Sequence, residues 1–458
     1  MRNCIWSMAL LLAAGASGCG DDDATPDDGG RDDATGADAD ADAEADAEAD
    51  ADADADADAA DEGGGTGTLT VRVTIADPSS EEGVPAAGVV VAADLPGGGR
   101  VEQATGADGR TTFGGIDWAA GTAAATAWRD GYGLVSRVGI TEADGEIELA
   151  LGLPLDDAPA RVEVSGTALH MADPVHHSLL VSATTDGESF WSDRPGPHWS
   201  IQVAPDDPFT IIAAEFAQEP PPCVGCLSMP ISGWVVQEHA AVTAPTTVEL
   251  DFATPAAATR VTGSFQTVTR GDSPLRTPDY AFITVFDLDS MAVLGMSDST
   301  TLGAGGTIEF DLQYVTVAAA THPLTGFRVV ADDWVSGVVL EGFPASGAQD
   351  LRFVDAPRLI APARPTAHHP FHEPLRWELF DSALTPVLRI FDDEQTVWWV
   401  RGPEDATTVT VPEAPSGCDL AALIGTGIVE AQLYFYHRHE SGDYSDHYVQ
   451  SPSLILEP

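Results

Sequence analysis

The chain has 458 residues, of which 44% are hydrophobic; 73 Asp and Glu stand against 20 Arg and no Lys, a formal charge of −53. Nothing in such a chain would displace counterions from a phosphate backbone, so nucleic-acid binding is excluded, and no apolar run reaches the ~18 residues a membrane-spanning helix needs. The length fits about three or four domains, and five Cys are too few for a disulfide-stapled scaffold.

Arg2 followed by the mostly apolar stretch Ile5 to Ala16 reads as a signal peptide, too short to span a bilayer. Ala16-Ser17-Gly18-Cys19 resembles the bacterial lipobox, with Ala16 where that pattern prefers Leu. The resemblance implies acylation of Cys19, which would become the mature N-terminus. The protein would then be exported and membrane-anchored in the bacterial envelope, at the outer membrane or cell surface. Several acyl chains, at roughly 0.8 kcal/mol per buried methylene, suffice for anchoring. The alternative is an ordinary signal peptide cleaved after Ala14 or Ala16, and Cys4 is discarded either way.

Residues 20–65 carry 20 acids and one Arg, a net −19, with nearly strict Ala-Asp alternation from Ala39 to Ala59. A carboxylate at every second position opposes a helix, and so little apolar surface cannot offset the entropy of ordering. The segment is expected to be a disordered acidic tether, averaging roughly 40 Å end to end before charge repulsion extends it. Residues 66–458 carry 53 acids and 18 Arg, a net −35, so the body is acidic too.

The body shows short period-two alternations between Gly, Pro, Asp and Ser clusters. Leu69, Val71, Val73 and Ile75 are one, and Ile147, Leu149 and Leu151 another. The expected fold class is all-β: tandem β-sandwich domains, Ig-like and transthyretin-like, after the signal peptide and linker.

The segment 66–153 contains Gly83-Val84-Pro85-Ala86-Ala87-Gly88-Val89-Val90-Val91, Thr105-Gly106-Ala107-Asp108-Gly109-Arg110-Thr111-Thr112-Phe113 and Ala127-Trp128-Arg129-Asp130-Gly131-Tyr132. These motifs resemble the carboxypeptidase regulatory-like (transthyretin-like) domain family. The resemblance implies a seven-stranded sandwich without catalytic residues, in which Gly109 supplies the positive φ of a hairpin turn.

Segments 158–254 and 258–356 read as two copies of one unit. Val164-Ser165-Gly166 and Val261-Thr262-Gly263 open them, and Ser232-Gly233-Trp234-Val235-Val236 and Ser336-Gly337-Val338-Val339 recur about 100 residues apart. The segment 362–458 resembles a fibronectin type III-like module, with Trp377 as the core Trp and Val429, Ala431, Leu433 and Phe435 lining the core.

No Gly-x-Ser-x-Gly, His-Glu-x-x-His or P-loop motif occurs in the sequence, so no enzyme activity is expected. His437-Arg438-His439-Glu440 contains a His-x-x-Glu, but on a strand those two side chains face opposite ways. His437, His439 and a returning His447 are the candidate metal ligands, against plain surface histidines. His368, His369, His372 and Glu373, and His170, Asp173, His176 and His177, form two loop clusters without preorganisation. No cofactor is expected. Asp392, Asp393 and Glu394 read as a solvated turn.

Cys223-Val224-Gly225-Cys226 follows three prolines and is expected to form a local disulfide, leaving Cys418 as the remaining mature thiol. Trp191, Trp199, Trp398 and Trp399 are the candidate ligand-binding residues, because exposed aromatics on β-sandwiches stack on sugars or anchor partners. The plainer reading is that they fill cores or joints. The expected function is non-enzymatic display of β-modules for adhesion or for binding carbohydrate or an envelope protein. A structural spacer and a metal-dependent hydrolase are the alternatives.

Overall fold

The computed structural model describes residues 67–77, 80–152, 161–185, 189–192, 195–217, 219, 226–269, 275, 277–365, 367–392, 395–425, 428–437 and 447–457. The signal peptide, Cys19 and the acidic tether lie outside these residues. The fold is all-β. Among the described residues the one α-helical turn is Leu420–Ile424, capped by the Asp419 carboxylate, which accepts from the Ala422 amide at 3.0 Å.

The period-two runs place their apolar side chains on one face. Leu69, Val71 and Val73 share a core with Ile147, Leu149 and Leu151. One layer is the strand Gly67–Asp77 flanked by Arg110–Ile116 and Glu146–Leu151; the other is Val90–Leu95, Gly99–Ala104, Ala123–Trp128 and Leu134–Ile140. Gly109 has φ +73° and turns the chain against its neighbours: a Cβ there would lie 2.6 Å from the Val73 carbonyl oxygen and 2.9 Å from the Ala86 nitrogen. Gly109→Ala is expected to cost about 2 kcal/mol, from left-handed strain and overpacking together, read as a shift in the chemical denaturation midpoint.

Four stretches of chain close the same way, with an early strand running parallel to a late one. Gly67–Asp77 pairs with Glu146–Leu151, Val162–Leu169 with Thr246–Asp251, Thr259–Gln266 with Gly347–Gln349, and His368–Pro370 with Leu454–Glu457. The glycines that open the repeats sit at this closure. A Cβ on Gly166 would lie 1.7 Å from the Val248 carbonyl oxygen, and one on Gly263 would lie 2.3 Å from the Gly347 carbonyl oxygen. Gly166 and Gly263 have the same role because the same backbone approach requires it.

The stretches are consecutive in sequence but not a row of separate beads. The sheet containing His177–Ala183, Phe209–Ala217 and Ile231–His239 is apolar on both faces. Leu179, Val181, Ile211, Ala213 and Val235 enter the second stretch's own core. Leu180, Ile212, Ala214, Phe216 and Trp234 join the core of the third. This is why Phe209 to Ala214 reads as an unbroken buried run while Glu146–Leu151 alternates.

The third stretch joins the fourth edge to edge, Trp334–Glu341 pairing antiparallel with His447–Gln450. The fourth joins the first through parallel pairing of Gln395–Arg401 with Leu134–Ile140. The last module is thus bonded to both the third and the first, and edges that would otherwise be open are paired.

Candidate functional site

Residues opposite each other in register share a face, so one face can be followed across the joined sheets. Arg328 stands opposite Phe282 and Gly337, and Gly337 opposite Tyr448. Tyr448 is opposite Tyr436, and Val387 is opposite both Tyr434 and Arg401. Arg389 is opposite Gln432 and Trp399, Trp399 opposite Val135, and Arg401 opposite Arg137. The reverse side of these strands supplies core residues such as Phe327, Val338, Leu388, Leu433 and Trp398.

The front face therefore carries four arginines among Tyr and Trp rings; its own strands place carboxylates only at its ends, Glu341 and Glu430, while Asp144 from a neighbouring turn pairs with Arg137. At one end Val135 packs into the first stretch's core. At the other, Phe286, Leu324 and Met296 pack with the second stretch. The face is a floor flanked by the first and second stretches.

Its centre is a hydrogen-bonded array. Arg389 is 3% exposed. Its Nη2 donates to Thr396 Oγ1 at 2.7 Å and its Nη1 to the Tyr434 hydroxyl at 3.3 Å. The Tyr434 hydroxyl donates to Gln432 Oε1 at 2.8 Å, and Gln450 Nε2 donates to the same oxygen at 3.2 Å. The guanidinium carbon lies 4.4 Å from the Trp399 ring centroid and 5.2 Å from those of Phe391 and Tyr434. Burial pulls the Arg389 pKa down and pushes the Tyr434 hydroxyl up to about 12, so at neutral pH the hydroxyl stays protonated and can donate. Towards the edge, Arg401 lies 5.8 Å from the Tyr436 ring centroid. Trp399, Tyr436, Arg401 and Arg137 are half-buried and reach solvent.

The four candidate tryptophans separate. Trp199, 3% exposed, faces the second stretch's core beside Gly166, and Trp398, 0% exposed, lies in the fourth stretch's core. Their assignment as ligand-binding residues is corrected: strand parity turns both rings inward. The Trp398 indole N–H donates to Ser136 Oγ at 2.9 Å, across the joint to the first stretch. Trp191 is half-buried at the contact between the second and third stretches, 5.0 Å from the Phe216 ring. Trp399 is on the floor, one ring face against Arg389, so a sugar has only its remaining surface for contact.

The histidines do not converge among the described residues. His437 ends one strand and His447 begins the next, just beyond the Tyr436–Tyr448 pair. His439 and Glu440 lie outside the described residues. Among the described residues no group of three His, Cys, Asp or Glu is placed to hold a metal. His368 bonds Glu457 at 2.5 Å, His369 the Glu373 carbonyl at 3.1 Å and His372 the Val411 carbonyl at 3.2 Å. His170 bonds Asp251, His176 bonds Asp173 and His177 bonds Glu215, at 2.7, 2.8 and 2.7 Å. Ser232 Oγ also approaches His177, but at 3.3 Å from the same Nδ1 that Glu215 uses. A relay needs the two ring nitrogens separately, so this trio cannot pass a proton from Ser to Glu.

Cys226 is buried and disulfide-bonded. Its expected partner Cys223 lies outside the described residues, as do Asp393 and Glu394. Cys418 is a free thiol, pushed up to about 11 by burial and then by Asp419. At pH 8 the native thiol is expected to alkylate about a hundredfold more slowly than in the denatured chain, measured by mass spectrometry after timed iodoacetamide exposure.

The sequence reading passed over Arg328, Arg389, Tyr434 and Tyr448. The signal was there: an Arg at the outward position of an apolar strand, as in Leu388-Arg389-Ile390 and Phe327-Arg328-Val329.

No family model matches the chain. No curated protein matches it either. Among solved structures, the Bacillus anthracis TIE protein aligns at 13% identity over 63% of this chain and 51% of that one, with a TM-score of 0.16. The chain thus spans about half the length of that protein. The shaft pilin SpaA from Lactobacillus rhamnosus GG, as a double mutant, aligns at 10% identity over 42% of this chain and 99% of that one, TM-score 0.16. The fimbrial anchor protein Mfa2 from Porphyromonas gingivalis aligns at 12% identity over 37% and 78%, TM-score 0.14.

Proposed function

We propose that the protein is a non-enzymatic, lipid-anchored component of the bacterial envelope that displays fused β-sandwich modules for adhesion or ligand binding. Cys19 is the acylation site, the acidic tether lifts the body from the outer membrane, and the ligand is carbohydrate or an envelope protein. The first module is of the carboxypeptidase regulatory-like type and the last of the fibronectin type III-like type.

The observation that carries this reading is the floor. It is a sheet face crossing two module joints, where Trp399, Tyr436 and Arg401 reach solvent beside Arg137, which is ion-paired with Asp144. Aromatic surface gives contact area at low entropy cost and guanidinium groups give directed donors, the combination that dominates binding surfaces.

The test is binding of the purified full-length protein to envelope polysaccharide and to intact cells, alongside Trp399→Ala and Arg401→Ala variants. Each substitution is expected to weaken binding tenfold or more. Unchanged binding in both, or a hydrolytic turnover lost on changing a few residues, overturns the proposal. Replacing Cys19 by Ala is expected to move the protein from the detergent to the aqueous phase in a partition assay.

A further inference from the structure

Two arginines face each other where the first and fourth stretches join. Arg401 stands directly opposite Arg137 in the parallel pairing of Gln395–Arg401 with Leu134–Ile140. Like charges opposite one another in a sheet repel, so the pair calls for counter-charge. One carboxylate supplies part of it, Asp144 on Arg137. Arg401 has no such partner: among the described residues it makes no ion pair or hydrogen bond, and its guanidinium carbon lies 5.8 Å from the Tyr436 ring centroid. Other strand arginines are paired, Arg110 with Glu146, Arg260 with Asp311 and Arg358 with Glu378. In a chain with 73 acids for 20 arginines, two guanidinium groups sharing one carboxylate leave a local cationic spot.

The spot lies beside aromatic surface. Trp399 precedes Arg401 by two residues on one strand, so both side chains leave the same face, about 7 Å apart. Arg389 covers one side of the Trp399 ring at 4.4 Å, and both Trp399 and Tyr436 remain half-buried rather than enclosed. An aromatic ring takes the C–H face of a sugar, and a guanidinium takes the oxygens of a carboxylate. A pyranose that carries its carboxylate directly on the ring offers both features within that spacing. A neutral sugar would leave Arg401 unpaired, and an acidic peptide would bring the carboxylate without a ring for Trp399.

We propose that Arg401 and Trp399 bind a uronic-acid residue of an acidic polysaccharide, with the carboxylate on Arg401 and the sugar ring against Trp399 and Tyr436. The inference rests on the reading of the floor as the binding face and names the class of sugar that face selects. The formal charge of −53 does not oppose it at contact. At physiological ionic strength exposed charges more than about 8 Å away are largely screened, so the nearby guanidinium groups decide what is held.

The test is binding of the purified full-length protein, at physiological ionic strength, to polygalacturonate, to the same polymer with its carboxyls methyl-esterified, and to polyglutamate. Esterification keeps the ring and removes the charge; polyglutamate keeps the charge and removes the ring. Polygalacturonate is expected to bind at least about tenfold more tightly than either. Arg401→Gln is expected to hold the wild-type Tm within a few degrees and to bring polygalacturonate down to the level of the ester. Arg401→Lys is expected to keep part of the preference, since it retains the charge and loses the planar fork. Trp399→Ala is expected to weaken both sugar polymers. Equal binding of acid and ester by the wild type overturns the inference while leaving the floor a carbohydrate site. Polyglutamate held as tightly as polygalacturonate overturns it in favour of an acidic peptide, and a preference for the acid that survives Arg401→Gln overturns the role of Arg401. No binding to any of the three overturns it as well; binding to intact cells that Trp399→Ala weakens would then keep the wider reading of the floor.

Discussion

Gly166→Ala is expected to destabilise the protein by at least about 3 kcal/mol, at the upper end of what overpacking costs. The added methyl would sit 1.7 Å from the Val248 carbonyl oxygen and 2.8 Å from its carbon. Both are backbone atoms of the parallel partner strand, and neither can swing away as a side chain could. Relief requires parting Val162–Leu169 from Thr246–Asp251, the pairing that closes the second stretch. Gly263→Ala meets the same obstacle in the Gly347 carbonyl, with Phe310 Cζ a further 2.6 Å contact. The two variants are expected to lose similar stability in denaturant titrations followed by tryptophan fluorescence. Trp199, whose Cζ2 lies 3.1 Å from the same Cβ position, reports the first directly. A loss under about 0.5 kcal/mol in either would mean that the repeat glycines are not held by the closure.

Those glycines show what the sequence made legible. Their recurrence was visible, and so was the alternation of Leu69, Val71 and Val73, because period two is a local property of a strand with one buried face. The same rule hid the joints. Phe209-Thr210-Ile211-Ile212-Ala213-Ala214 does not alternate, since Ile211 and Ala213 face one core and Ile212 and Ala214 another. Which module supplies the second core is a long-range fact that no local pattern carries. The bonding of the first module to the last is of the same kind: Leu134–Ile140 and Gln395–Arg401 lie more than 250 residues apart, and each reads as an ordinary strand.

The candidate site was legible only in part for a related reason. Adjacent Trp398 and Trp399 required one ring to leave the core, but the strand's parity depends on a partner across the joint. Arg328 and Arg389 each stand between apolar neighbours, a local pattern that by itself marks only the outward position of a half-buried strand. Their burial follows from ring neighbours on other strands, Phe282 and Tyr448 for one and Trp399 and Tyr434 for the other. A pattern with one chemical type per strand becomes a site only when the strands are set side by side.

Side-by-side placement makes the adjacent tryptophans the sharpest contrast in the molecule. Trp398→Ala is expected to cost about 3–5 kcal/mol, the range for deleting a large buried aromatic. Its ring lies in the fourth stretch's core, 5.8 Å from Phe371, and its indole N–H is bonded to Ser136 Oγ, which also contacts Thr126 Oγ1 at 2.8 Å. Deletion therefore empties a core and opens the joint to the first stretch together, and limited proteolysis is expected to cut between residues 134 and 140 sooner than in the wild type. Trp399→Ala, one residue on, removes a half-buried ring whose main contact is the Arg389 cation, a loss of about 1 kcal/mol. It should leave the joint protected while weakening ligand binding. Stability losses in the opposite order, or equal protection of the 134–140 strand in both variants, would mean that the parity assigned to Gln395–Arg401 is wrong and that the floor faces the other way.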